Sequence, residues 1–341
     1  MNATRYHSQV GISAYRDLLR MLQDDAASDL RGTPGPVTVR GRTFWYDKYR
    51  VGNQMRQRYI GPDTPELRQR LDRLDELKAQ REARRRERTR LIRILRAEGY
   101  GSTDRKTGSL LSAFSAGGVF RLGGTLVGTV AFRHYEGELG VAPGFDHLAS
   151  TDDLDIASFE RLSFAVDDAV ETPLAAVFSE LRFDPVPSLD GHRTWRWAQS
   201  DGGTLVEFLM PAMRDEGVRD LPALGVSAMA LRHLDYLLED PVPAVSLYRS
   251  GVLVSIPRPE RYAIHKLVVA ERRLGGPDAF KARKDRAQAA FLISVLAELR
   301  PDELRDAYED AVRRGPRWKS RIAASLDRLP DSRALLRGTG A

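Results

Sequence analysis

The chain of 341 residues contains no cysteine. Disulfides and thiolate metal sites are therefore excluded, which agrees with a cytoplasmic protein. No apolar run reaches the roughly 18 residues that a membrane-spanning helix needs. The N-terminal Met1-Asn2-Ala3-Thr4-Arg5-Tyr6-His7-Ser8 lacks the apolar stretch of a signal peptide. Six scattered histidines show no zinc-like spacing, and His134 and His265 read as packing or polar decoration. Gly-x-x-x-x-Gly-Lys-Ser/Thr is missing, so Gly117, Gly118, Gly123 and Gly124 make no P-loop and serve turns and close packing. Gly-x-Ser-x-Gly is missing too. With no cysteine nucleophile either, hydrolase readings have little support.

What is present suits a large globular chain. Hydrophobic residues make up 42% of it, enough for a core, and its length suggests two or three units. The net charge of +6 is uneven: residues 1–98 hold 22 Lys and Arg against 13 Asp and Glu, a net of +9, so the remainder is net negative.

The stretch from Leu126 to Phe159 carries the most information. Residues 117–128 read as an apolar strand punctuated by glycines, and Val130, Ala131, Phe132, Tyr135 and Leu139 then fall near helical spacing. A glycine at such a junction, Gly128 with Thr129 after it, lets backbone N–H groups face a phosphate at the helix N-terminus. Thr151-Asp152-Asp153-Leu154-Asp155-Ile156 follows as a strand. Alternation puts Asp153 and Asp155 on one face, about 7 Å apart, with Leu154 and Ile156 in the core. Two such carboxylates repel unless a cation lies between them, and Mg²⁺ or Mn²⁺ with substrate phosphates is one answer. A solvated Asp-rich turn is the other. A third carboxylate from a neighbouring strand would complete a metal site, and Glu207 in Leu205-Val206-Glu207-Phe208-Leu209 supplies one.

These pieces, Leu126 to Tyr135, Thr151 to Ile156, Leu205 to Leu209 and Tyr262 to Ala270, resemble the nucleotidyltransferase superfamily that includes DNA polymerase β, most closely an uncharacterised bacterial branch. The resemblance covers roughly residues 100–300, with the pieces in the right order. The 24 residues between Gly128 and Asp153 are more than most members have, and the third acid is Glu where Asp is commoner. The resemblance implies an α+β fold: a polymerase β-type core of mixed sheet and helices, a helical C-terminal domain, and an N-terminal β-hairpin and long-helix region. It also implies transfer of an NMP from an NTP, with Asp153, Asp155 and Glu207 holding the metal and Gly128 and Thr129 the phosphates.

The C-terminal piece reads as a helix from Pro259 to Leu274, followed by a second from about Asp278 to Leu299. Lys281, Lys284, Asp285 and Gln288 share one face of the second. The Lys266 and Asp285 pair resembles abortive-infection, toxin-type nucleotidyltransferases, in which such residues belong to the active site. Lys266, with Lys284 nearby, would contact the nucleotide and stabilise charge on leaving pyrophosphate. On the residues alone, the reading to prefer is that both are surface charges of amphipathic helices.

In the N-terminal third, Val37 to Gly61 reads as a hairpin in which Arg40, Arg42, Lys48, Arg50, Arg56 and Arg58 interleave with Trp45, Tyr46, Tyr49 and Tyr59, a mixture suited to phosphates and stacked bases. Thr64-Pro65-Glu66 then opens a charged helix reaching about Glu98. Over some 30 residues it would form an arm of about 45 Å. Its Arg84 to Arg90 run is open to nucleic acid, a partner chain or water. The expected division is 1–98, 99–215 for the catalytic core, and 216–341. RNA, plausibly tRNA, is the expected acceptor, with a protein or small molecule as the alternative and a non-catalytic nucleotide-binding module as the third. An antitoxin partner and oligomerisation through the long helix fit the same resemblance, and no membrane role is expected.

Overall fold

The computed structural model describes residues 5–28, 33–39, 41–51, 54–74, 81–143, 153–157, 174–187, 193–200, 204–276 and 279–338. The main sheet has seven strands. Its principal path runs Gly217–Leu221, Val226–Leu231, Leu205–Pro211, Asp153–Ala157, Thr125–Val127, with Arg196–Gln199 on the first half of Leu205–Pro211 and Phe183–Pro185 beyond it. Leu205–Pro211 is parallel to Asp153–Ala157 and Val226–Leu231 but antiparallel to Arg196–Gln199, so the sheet is mixed. Its sequence shows why one face can carry chemistry. Leu154, Ile156, Val206 and Phe208 are buried while Asp155, Leu205 and Glu207 are half-buried, the period of two of a strand with one covered face.

Gly128–Leu139 leaves the end of Thr125–Val127 without a loop and buries Val130, Ala131, Phe132, Tyr135 and Leu139. Gly140 stops it at φ +68, a left-handed position that glycine adopts without steric penalty. Part of the long connection after this helix is the short strand Val141–Ala142, which pairs with Arg5–Tyr6. Thr151 and Asp152 lie outside the described residues.

Pro259–Arg273 begins with proline at its first turn, has Glu260 there and ends in Arg272 and Arg273, so its charges complement the helix dipole. Tyr262 to Val268 are all buried, because Lys281–Leu299, Pro301–Arg313 and Pro316–Asp327 pack around it. The helical part thus begins at Pro259. The boundary expected at residue 216 falls inside the sheet: Gly217–Leu221 and Val226–Leu231 belong to it, and the hairpin Val242–Ser246 with Val252–Ile256 follows.

Before residue 98 the structure differs from the expected hairpin and arm. The hairpin is a three-stranded meander, Thr33–Val39, Arg42–Val51 and Gln54–Pro62. The helix expected over 64–98 appears as Pro65–Asp72, capped by Thr64 and ended at Arg73, and Arg81–Ala97. A further helix, Gln9–Ser28, packs Ala14, Tyr15, Leu18 and Leu22 against Leu91, Ile92 and Leu95. Arg81–Ala97 therefore lies on the body of the protein instead of projecting, since its apolar residues are buried there. Arg84 and Arg88 reach Asp25 at 2.5 and 2.7 Å, and Arg70 and Arg73 reach Asp24 at 3.1 and 3.6 Å, so part of the arginine run is spent on contacts within the chain. Among the described residues, no helix is long and apolar enough to cross a membrane.

Candidate functional site

Four residues line up across the sheet. Val127 pairs with Asp155, Asp155 with Glu207, and Glu207 with Arg196. Adjacent strands are about 4.8 Å apart, so Asp155 and Glu207 are neighbouring carboxylates on one face. Position 153 is two residues up the same strand, in register with Leu205. Arg196 partly answers the repulsion: its Nε lies 2.6 Å from Glu207 Oε1, and its guanidinium sits 4.0 Å from the centroid of the Trp195 ring.

Gly128 closes on this row from the side. Its φ is +64, and a Cβ built there would stand 2.3 Å from Asp155 Oδ2, so glycine is required both by the backbone and by the carboxylate. Thr129, in the first helical turn, is half-buried. No side chain caps this N-terminus, which leaves the first-turn N–H groups to the site. The Tyr262 hydroxyl donates to the Gly128 carbonyl at 2.7 Å and also lies 3.1 Å from Gln288 Oε1. Burial, with the Asp285 and Asp155 carboxylates in range, holds the Tyr262 phenol well above its usual pKa. One buried ring thus has both acids as electrostatic neighbours, although 130 residues separate them in sequence.

Beyond Tyr262 lies a charged cluster. Lys266 Nζ is 2.6 Å from Asp285 Oδ1, and Arg273 pairs with the other oxygen of the same carboxylate. Lys266 also approaches the Tyr262 ring, at 5.2 Å from its centroid. Lys266 and Asp285 are both buried, so the pair is an internal one and not surface decoration. Lys284 borders it. Burial first, then Lys266, Arg133 and Lys281, lower its pKa against the opposing pull of Asp285. Lys284 thus has Lys266, Lys281 and Arg133 as cationic neighbours and Asp285 as an anionic one.

Sequence reasoning gave no role to Tyr262, Arg273, Arg133 or Arg196. Tyr262, Lys266 and Arg273 are spaced i, i+4 and i+11, one helical face, and that spacing was the signal available. His134 and His265 are buried. His134 Nδ1 donates to Val130 O at 2.8 Å, and burial pushes its pKa down to about 4, so both its place and its charge state are those of a core residue.

The sequence model of nucleotidyltransferases matches residues 105–313, a span that takes in Gly128, Asp155, Glu207, Lys266 and Asp285. The chain belongs to the nucleotidyltransferase family. A second model, of a domain of unknown function (DUF6788), matches residues 14–69 and so overlaps the helix and meander that precede the nucleotidyltransferase region. No curated protein matches the chain, and no solved structure does.

A divalent cation would meet suitable chemistry at two of the three expected donors. Asp155 and Glu207 are hard oxygen donors side by side, the type that Mg²⁺ and Mn²⁺ prefer, and Gly128 leaves room beside Asp155 that any side chain would fill. Among the described residues no group of three His, Cys, Asp or Glu is poised to hold a metal, and a third donor would come from position 153. The donor set fits.

The proposed nucleic-acid contacts of the meander divide. Arg40 lies outside the described residues, and Arg56 is described in its backbone only. Arg42 is exposed, whereas Trp45 donates to Asp63 at 2.7 Å, Lys48 lies against Gly35, and Arg58 stands in register with Asp47. Arg68 and Trp45 together hold the Asp63 carboxyl down at about 2. Tyr46 and Tyr59 are buried against each other at 5.6 Å and cannot stack on bases, which corrects that part of the expectation. A cavity of about 210 Å³ bordered by Arg105, Ser109, Phe183 and Gln199 includes none of the residues expected to act.

Proposed function

We propose that the chain is a metal-dependent nucleotidyltransferase with a polymerase β-type core, moving an NMP from an NTP to an acceptor hydroxyl, with RNA as the leading acceptor. The observation that carries this reading is the row of Asp155 and Glu207 in register, with the Gly128 backbone pressed against Asp155 at the start of a helix. A glycine at a strand-to-helix junction beside paired carboxylates is the arrangement that lets a triphosphate and its cation be held together.

Asp155, Glu207 and Asp153 would hold Mg²⁺ or Mn²⁺, which when bound neutralises triphosphate charge and makes an acceptor hydroxyl more acidic. The N–H groups at Gly128 and Thr129 hold phosphate oxygens. Tyr262 fixes the Gly128 carbonyl and with it the first turn of the helix. The acceptor oxygen bonds to the α-phosphorus as the bridging bond to the β-phosphate breaks, and the hydroxyl proton passes to the carboxylate pair. Pyrophosphate leaves toward Lys284, Lys266, Lys281 and Arg133, whose charge stabilises it. Asp285 is a positioning residue, holding Lys266 and Arg273 in place.

The basic N-terminal third and the resemblance to toxin-type enzymes support RNA as the acceptor. The test is transfer from each α-³²P-labelled NTP with Mg²⁺, offering cellular RNA and a protein extract together. Label in RNA that disappears with Asp155→Asn supports the reading. Label in protein alone transfers the acceptor assignment to protein. Absence of label from both RNA and protein with every NTP contradicts a macromolecular acceptor and favours a small-molecule acceptor or a nucleotide-binding module.

A further inference from the structure

A second cluster of charge lies at the C-terminal end of helix Pro259–Arg273. Glu216, Arg232, His233, Arg272, Arg317 and Arg321 border a cavity of about 110 Å³. These residues come from three places in the fold: the two ends of the sheet edge around Gly217–Leu231, the last turn of Pro259–Arg273, and the first turns of Pro316–Asp327. Four guanidinium groups meet one carboxylate. Arg272 takes it, at 2.9 Å from Glu216 Oε1, while Arg232, Arg317 and Arg321 have no ion-pair partner among the described residues. Among the described residues that border the cavity, positive charge exceeds negative, and Glu216 alone answers both Arg272 and Arg232.

The centre of the cluster is rigidly built. His233 has φ +76 and ψ −4, a left-handed conformation costly for a non-glycine residue. Its ring stands edge-on to Trp318 at 4.8 Å, and Arg321 Nη1 lies 3.1 Å from its Nε2. Burial, together with Arg272 and Arg321, pushes His233 down to about 4, so at neutral pH it accepts the Arg321 N–H and adds no charge of its own. Burial, Arg272 and Arg317 also lower the pKa of Arg321. Like charges held together at this cost are relieved by an anion.

We infer that this cavity is a seat for a phosphate group, separate from the carboxylate row. Its volume is that of three or four waters, the size of one tetrahedral phosphate. Planar guanidinium forks from separate elements suit the several oxygens and multiple charge of a phosphate; a single carboxylate would leave charge uncompensated. Arg272 and Arg273 are consecutive in the helix, one engaged at this cavity and the other at Asp285. Consecutive residues leave a helix about 100° apart, so the two side chains diverge to two different clusters. A polynucleotide strand can supply such a phosphate, and so can a small phosphate-bearing ligand.

The test needs no turnover, so it is independent of the transfer reaction. In EDTA and without NTP, thermal unfolding is followed in inorganic phosphate against chloride at matched ionic strength, and binding of a fluorescein-labelled single-stranded RNA is followed by anisotropy. Phosphate should raise the melting temperature of the wild type, and Arg317→Ala/Arg321→Ala should abolish that rise. Glu216→Gln should tighten phosphate binding several-fold, an opposite effect that misfolding cannot produce. RNA affinity falling about tenfold in the double variant, with phosphate competing, identifies a strand as the source. Unchanged RNA affinity with the phosphate effect lost identifies a small ligand. A folded double variant that still responds to phosphate as the wild type does, or a wild type stabilised no more by phosphate than by chloride, overturns the inference.

Discussion

Replacing Gly128 by alanine perturbs the carboxylate row with a single methyl group. The added Cβ would stand 2.3 Å from Asp155 Oδ2, and Cβ contacts below 3.0 Å essentially do not occur, so the carboxylate must retreat by at least 0.7 Å. A displacement near 1 Å in a reacting constellation costs on the order of 100-fold in rate. The left-handed backbone adds a stability cost of about 1–2 kcal/mol. Gly225 provides the control, since it has the same φ of +64 but nothing within 4 Å of the built Cβ. Gly225→Ala should lose comparable stability and keep its activity. NMP transfer from labelled NTP is measured for both variants, alongside urea unfolding. Equal, near wild-type transfer by the two variants would refute the role given to the contact between Gly128 and Asp155.

Asp285→Ala should cost about 3–5 kcal/mol in urea unfolding because it strands buried Lys266, and Lys266→Met/Asp285→Leu should cost clearly less than the single change. His134, lowered to about 4 when folded against 6.5 when unfolded, contributes stability that is complete above about pH 6.5 and is lost as pH falls toward 4, roughly 2.5 kcal/mol between pH 7 and 4.5. His134→Gln should flatten that part of the pH dependence, and an unchanged slope would contradict the assignment. Glu207→Gln should lower transfer at least about 100-fold with the unfolding midpoint nearly unchanged, because its Arg196 partner is already half in solvent. A fully active Glu207→Gln enzyme would remove it from the metal donors.

The strand pattern around Asp155 and Glu207 was legible because a half-covered sheet leaves a period of two in the sequence, and both acids sit at its open positions. The encounter of Lys266 with Asp285 was legible only through resemblance, since each is an ordinary charge on an amphipathic helix until the helices are packed. Tyr262 could have been chosen from its spacing to Lys266, but a tyrosine in an apolar run reads as core, which it also is. The N-terminal third was least legible. Composition cannot separate an aromatic stacking surface from an aromatic core, so Tyr46 and Tyr59 were indistinguishable from Trp45. Nor does an arginine run reveal that Asp24 and Asp25, 46 to 63 residues away, will take two of its members and two arginines before it. That the sheet continues past residue 216 was hidden for a related reason: apart from Ser227 the strand Val226–Leu231 is apolar, so no polar alternation marks it as part of a sheet.

The most direct measurement is pyrophosphate release on adding NTP, Mg²⁺ and cellular RNA, compared between wild type and Asp155→Asn, with circular dichroism showing both folded. The account predicts release by the wild type and a loss of at least about 100-fold in the variant, because one of two adjacent metal donors is gone. Release at equal rates from both proteins would contradict the claim that Asp155 and Glu207 form the centre of nucleotidyl transfer.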